Sequence, residues 1–342
     1  MKVAMLSDAD TPGPFRHVPL DWSRANSIEA IIAVLKGDVW HGRELDHLLL
    51  DALSSYDVVI INLKHTLWPI VPQLAAELRG KCIVAGYQEG PADLAGRLDH
   101  NELPAYLTAI RSVEHLFCFD PDAPDLFKAM RGNNAVSYLP IPAAQGVYDK
   151  FRKPLADRPN DPPRICLCQP LNYRRGTYLG ILMASRLGAR VICGAHTRGE
   201  ETVLQKLIAS AGGRPYTFCW RSWDKRDKHS GHAPFLAELA DCRLAINLDT
   251  AACYGRFVAD CAALNVPCIG SNRTVLQKKL FPELAFDPYR DWEPATNLAR
   301  DLIETPEGAA AFCDLARDRQ SKLHSPDRIH TLFEEALGCP VL

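Results

Sequence analysis

Four segments of the chain carry residue types at spacings that chemistry can use. Leu171-Asn172-Tyr173-Arg174-Arg175-Gly176-Thr177 follows an apolar run that reads as a strand, and it opens a helical pattern. A helix N-terminus presents unpaired N–H groups and a partial positive charge, so it binds phosphate. Two arginines beside it would add bidentate, charge-assisted contacts; the same residues also suit a solvated loop. In the second segment a strand ends at Asn247-Leu248-Asp249, a loop with Tyr254-Gly255 follows, and an apolar helix opens at Arg256. Asp260 stands one helical turn further on among apolar neighbours. An acid there either faces solvent or has a partner. A ribose diol is one such partner, because a carboxylate accepts from two hydroxyls. The third segment, Tyr87-Gln88-Glu89-Gly90-Pro91, is polar and follows a strand, where open α/β sheets place their ligand-binding loops. The fourth is Asn62-Leu63-Lys64-His65, in which His65 suits a base or a hydrogen-bonding loop residue.

Metal chemistry finds less support. His229 and His232 stand three apart in a polar stretch with no cysteine nearby, and no CxxC pair occurs, so no metal site is expected. The 12 cysteines are scattered, and Cys82, Cys118, Cys166, Cys193, Cys242 and Cys268 lie inside apolar runs, the placement of small buried hydrophobes. The opening apolar run stops at Ser7-Asp8-Ala9-Asp10, too short for a signal peptide, so a cytoplasmic chain without disulfides is expected. No run of 18 apolar residues suggests a transmembrane helix. With 39 Lys and Arg against 41 Asp and Glu, the net charge of −2 does not advertise nucleic acid or anionic lipid as a partner. The basic, aromatic stretch at residues 218–229 suits a solvated loop or a polyanion contact.

These segments need elements to hold them. At about 150 residues per domain, 342 residues make two domains, and 47% hydrophobic content is enough for two cores. Strands are predicted at residues 3–6, 58–62, 82–85, 115–119 and 136–139, with helices at 27–35, 44–53, 92–98 and 103–111 between them. Residues 152–163 then hold four prolines and almost no apolar content, the composition of a linker. Beyond them the alternation resumes. Strands are predicted at 164–168, 190–194, 216–220, 244–248 and 267–270, and helices at 177–187, 200–211, 233–240, 256–264 and 275–281. Further helices at 292–304, 306–323 and 327–337 close the chain. Such alternation predicts α/β domains with mainly parallel sheets.

Taken together, the four segments resemble a GT-B glycosyltransferase, most closely the retaining family-four group. That family's domain join, roughly "viPnGvD…F", corresponds to Leu139-Pro140-Ile141-Pro142-Ala143-Ala144-Gln145-Gly146-Val147-Tyr148-Asp149-Lys150-Phe151. Its "KG" pair, whose basic residue holds the donor diphosphate, corresponds to Arg175-Gly176. Its "EGFGLxxxEA" motif corresponds to the run from Ala252 to Cys261, where Asp260 falls on the second Glu, the ribose ligand. The first Glu falls on Ala252, with Asp249 the nearest acid, and the family's active-site His falls near Gln88.

The resemblance implies two Rossmann-like domains facing each other across a cleft. An acceptor-side domain would span residues 1–152 and a nucleotide-sugar domain 153–324, and a helix in 325–342 would cross back to the first. It implies donor binding by Asn172, Arg174, Arg175, Gly176, Asp249, Tyr254, Gly255, Arg256 and Asp260, and catalytic groups at Gln88, Glu89 and His65. It implies no cofactor beyond the nucleotide-sugar co-substrate and no metal; Asp120-Pro121-Asp122 and Asp8-Ala9-Asp10 lie in the wrong half for one. The expected activity moves a sugar, with retention, to a soluble carbohydrate or small molecule. The alternatives are a modified base in DNA as acceptor, with Arg16, His17, Arg24, Lys64 and His65 as the basic groups near it, or a degenerate nucleotide-sugar-binding protein.

Overall fold

The structure, a computed structural model, describes residues 1–8, 13–18, 28–89, 92–142, 145–167, 176–195, 198–219, 232–250 and 252–338. The chain divides into one unit of residues 1–144 with 323–342 and another of residues 145–322. The first unit runs β1 (Val3–Ser7), β2 (Arg16–Val18), α1 (Glu29–Val34), β3 (Asp38–His41), α2 (His47–Leu53), β4 (Val58–Asn62), α3 (Val71–Leu78), β5 (Ile83–Gln88), α4 (Glu102–Ser112), β6 (His115–Cys118), α5 (Pro124–Arg131) and β7 (Val136–Tyr138). The second runs α6 (Gln145–Tyr148), β8 (Arg164–Leu167), α7 (Thr177–Arg186), β9 (Arg190–Ala195), α8 (Arg198–Ser210), β10 (Arg214–Cys219), α9 (His232–Ala240), β11 (Leu244–Asn247), α10 (Arg256–Ala263), β12 (Cys268–Ser271), α11 (Val275–Leu280), β13 (Ala285–Phe286), α12 (Trp292–Glu304) and α13 (Pro306–His324). Helix α14 (Pro326–Leu337) returns to the first unit.

The first sheet has the order β2-β3-β1-β4-β5-β6-β7, parallel except for β2, which pairs antiparallel with β3. Its central strands β1 and β4 are apolar, buried runs because both faces are covered. On one face Leu6, Val59, Ile61, Val84 and Leu116 pack with Leu74 and Leu78 of α3, Ile110 of α4 and Phe127 of α5. Phe117 of β6 stacks instead on Phe333 of α14, ring centroids 5.3 Å apart. The second sheet is wholly parallel, ordered β10-β9-β8-β11-β12-β13. In the second sheet the chain winds outward from β8 through β9 to β10 and restarts at β11 on the other side of β8; in the first it visits the edge strand β2, returns to β3 beside β1, and restarts at β4 on the other side of β1. This puts a topological switch point between β1 and β4, and another between β8 and β11. Open α/β sheets take their ligands at such points, outside the carboxyl ends of the strands.

Several expectations need correction. Strands β2, β3 and β13 and helices α3, α5 and α6 add to the predicted set. Helix α2 starts at His47 and not at residue 44, because the Asp46 carboxylate accepts from Leu49 N over 2.7 Å and caps it there. Residues 92–97 are a 3₁₀ turn. The proline-rich segment is no free linker. Arg158, 3% exposed, donates to the carbonyls of Cys242, Leu264 and Lys153 over 2.7–2.9 Å. Arg152 Nε donates to Ala263 O over 3.0 Å. The segment is strapped into the second unit, and the division of the chain falls ahead of it, at 144/145.

The six cysteines predicted in apolar runs are buried. Among the described residues no helix is long and apolar enough to cross a membrane, and no group of three His, Cys, Asp or Glu side chains is placed to hold a metal ion.

Candidate functional site

In the second unit the switch point is built from two glycines. Gly176 opens α7 at φ +58°, and a Cβ placed on it would lie 1.9 Å from the Leu248 carbonyl oxygen. Only glycine lets the start of α7 lie against the carboxyl end of β11. Gly255 opens α10 at φ +89°, and a Cβ there would meet Thr274 Cγ2 at 2.2 Å. Neither glycine brings a side chain to cap its helix, the arrangement in which a helix start can take a ligand's oxygens. The loop before α10 is held in place: Val275 N and Leu276 N donate to the carbonyls of Cys253 and Tyr254, each over 2.9 Å.

Of the predicted donor residues, this arrangement brings Gly176, Asp249, Tyr254, Gly255, Arg256 and Asp260 to β11, its following loop and α10. Asp249 is buried and accepts from Cys253 Sγ over 2.7 Å. Tyr254 is buried, whereas Arg256 and Ala252 are exposed. Asp260 does not face solvent. It is 4% exposed, and its Oδ1 accepts from Tyr148 Oη over 2.7 Å. Asn247, at the end of β11, has no solvent exposure, and neither of its amide atoms has a hydrogen-bond partner among the described residues. Asn172, Arg174 and Arg175 lie outside the described residues, as do His229 and the basic stretch from Trp220 onward.

In the first unit the polar residues collect at the carboxyl ends of β1, β3, β4 and β5. Gln88 belongs to β5 and not to the loop after it: it continues the ladder opposite Cys118, and its side chain is buried. Glu89 follows, and its Oε2 accepts from Asn62 Nδ2 over 3.5 Å. Asp8, just after β1, accepts from Arg43 Nε over 2.6 Å and from Thr66 Oγ1. Arg43 and Thr66 are absent from the sequence prediction, since nothing near them in sequence marks them until the sheet aligns the ends of β1, β3 and β4. His65 and Lys64 are exposed, and the His65 ring meets Trp68 edge-on at 6.3 Å. Arg16 and His17 lie in the edge strand β2, where they face Asp46 at 3.8 Å and Asp38 at 3.1 Å. Arg24 lies outside the described residues.

Two Rossmann-like units of this topology give the chain the GT-B fold of glycosyltransferases. It is similar over 99% of both chains to Anabaena Alr3699/HepE, solved with UDP and glucose, at 14% identity and a TM-score of 0.70. An E. coli trehalose-6-phosphate protein bound with UDP-2-fluoro glucose matches at 11% identity over 98% of this chain and 99% of its own, TM-score 0.70. An alpha-glucosyltransferase in complex with UDP-glucose and DNA containing an abasic site matches at 10% identity over 99% and 98%, TM-score 0.65. No protein-family model matches the sequence, and no curated protein matches it.

Proposed function

We propose that the protein is a cytoplasmic, metal-independent glycosyltransferase that moves a hexose from a UDP-sugar, with retention, to a soluble carbohydrate or small-molecule acceptor. The observation that carries this reading is the end-to-end likeness to a protein solved with UDP and glucose. The switch point of the second unit supports it locally. The uncapped start of α7 and the arginines of the preceding loop suit a diphosphate, and Arg175 would stabilise the charge on the departing UDP. Asp249, Tyr254, Gly255, Arg256 and Asp260 would line the nucleoside and sugar end. Gln88 can donate and accept hydrogen bonds but is no base at neutral pH, so the leaving phosphate would take the acceptor's proton. Glu89 and His65 would complete the catalytic group. The test is calorimetry with UDP and UDP-glucose on the wild type and on Arg175→Ala. A loss of about 1.5–3 kcal/mol in the variant is expected for one charge-assisted phosphate contact; equal affinities would remove Arg175 from the site.

A second reading, with a base in DNA as acceptor, is favoured by the likeness to the DNA-bound alpha-glucosyltransferase. Sub-micromolar binding of duplex DNA with a steep salt slope would support it.

A further inference from the structure

Resting on that reading, in which the first unit takes the acceptor, we propose that the switch point of its sheet selects a neutral polyhydroxyl compound over a phosphorylated one. Neighbouring strands lie about 4.8 Å apart, so the ends of β1, β4 and β5 bring Asp8, Asn62 and Gln88 onto one short rim. Asn62 has no exposure and Gln88 has 1%. The side-chain oxygens of both, Asn62 Oδ1 and Gln88 Oε1, have no hydrogen-bond partner among the described residues. The orientation of the Asn62 amide is fixed by chemistry, because its Nδ2 faces the Glu89 carboxylate, which can only accept when ionised. The oxygen is therefore the end left over.

A buried acceptor without a donor is costly and is ordinarily satisfied by water or a ligand. The rim's other groups do not reverse its character. The Asp8 carboxylate is already matched by Arg43 and Thr66, and Glu89 adds a further acceptor. A floor rich in acceptors recognises hydroxyl donors, whereas a phosphate brings only acceptors and negative charge at neutral pH. Of the cations beside the rim, Arg43 is held by Asp8, and Lys64 and His65 are exposed to water.

The experiment uses the full chain saturated with UDP and matched pairs of probes: glucose with glucose 6-phosphate, and inositol with an inositol phosphate. Binding by calorimetry should favour the neutral member of each pair. Gln88→Met and Asn62→Leu, near-isosteric and apolar, should each weaken it by about tenfold, the worth of one hydrogen bond. The melting temperature of Gln88→Met should not fall, because it removes a buried acceptor with no partner among the described residues; that of Asn62→Leu should fall slightly, because its Nδ2 also gives up the bond to Glu89. Tighter binding of the phosphorylated members or of duplex DNA would overturn the proposal. So would unchanged binding of the neutral members by both variants, or no binding of any neutral probe up to its solubility. The affinity for UDP alone reports on the donor reading, so the two can fail separately.

Discussion

The hydroxyl of Tyr148 lies 2.7 Å from Oδ1 of Asp260, and both side chains are buried. The bond ties the segment that opens the second unit to the helix that follows its switch point. Tyr148→Phe removes a donor from a buried carboxylate, which costs about 1.5–3 kcal/mol. Urea denaturation should report that loss. Asp260→Asn should weaken UDP more than it weakens glucose 1-phosphate, since its proposed ligand is the ribose. Equal losses on both ligands would leave Asp260 with a structural role alone.

Gly176→Ala and Gly132→Ala separate close approach from backbone preference. Gly132 has φ +73° and nothing within 4 Å of an added Cβ, so alanine there meets only the left-handed backbone penalty, about 1–2 kcal/mol. Gly176 meets that penalty and the Leu248 carbonyl as well. Its variant should lose more than about 2 kcal/mol and most of its UDP affinity. Similar stabilities for the two variants would contradict the contact between α7 and β11.

Burial lowers the pKa of His115, with Arg131 adding to the shift, and burial lowers that of His324; each falls to about 4 from 6.5. Between those values the unfolded chain binds the protons that the folded chain refuses, so each histidine removes stability as the pH falls from 6.5 towards 4. Above pH 6.5 neither contributes a slope. Urea midpoints at pH 7 and pH 4.5 should therefore lie closer together in a His115→Gln, His324→Gln double variant than in the wild type. An undiminished gap would mean that other groups set the acid limit.

Arg158→Met should unfold the second unit more readily by about 3 kcal/mol or more, because two buried carbonyls and one part-buried carbonyl lose charged donors at once. Far-ultraviolet melting of the full chain should show that loss. A variant as stable as the wild type would return the proline-rich segment to the role of a passive connection.

The second half of the chain was the more legible in sequence. The pattern predicts helices over 292–304 and 256–264, and they stand at Trp292–Glu304 and Arg256–Ala263, because Gly255 and flanking polar or proline residues punctuate it. In the first half, Asp38–His41 escaped because Trp40 and His41 are only half-buried and break the strand's alternation. Proximity in space was the other loss. Arg158 finds its carbonyls 84 and 106 residues away, and Asp260 finds Tyr148 112 residues away. A proline-rich, charged stretch reads as a linker until those partners are known. Asp8, Arg43 and Thr66 share that limit: their meeting is a property of strand order, and no local spacing encodes it.

The first unit is closed by a helix from the far end of the sequence, with Phe333 of α14 lying on Phe117 of β6. On the ribosome, residues 1–144 therefore emerge without the piece that finishes them, and the entire second unit is synthesised before it arrives. The first unit can be completed only after the second has been synthesised, which departs from the usual order in which the amino-terminal domain folds first. Through that interval the apolar surface around Phe117 lies open, so it is the part of the nascent chain that a chaperone would have to guard.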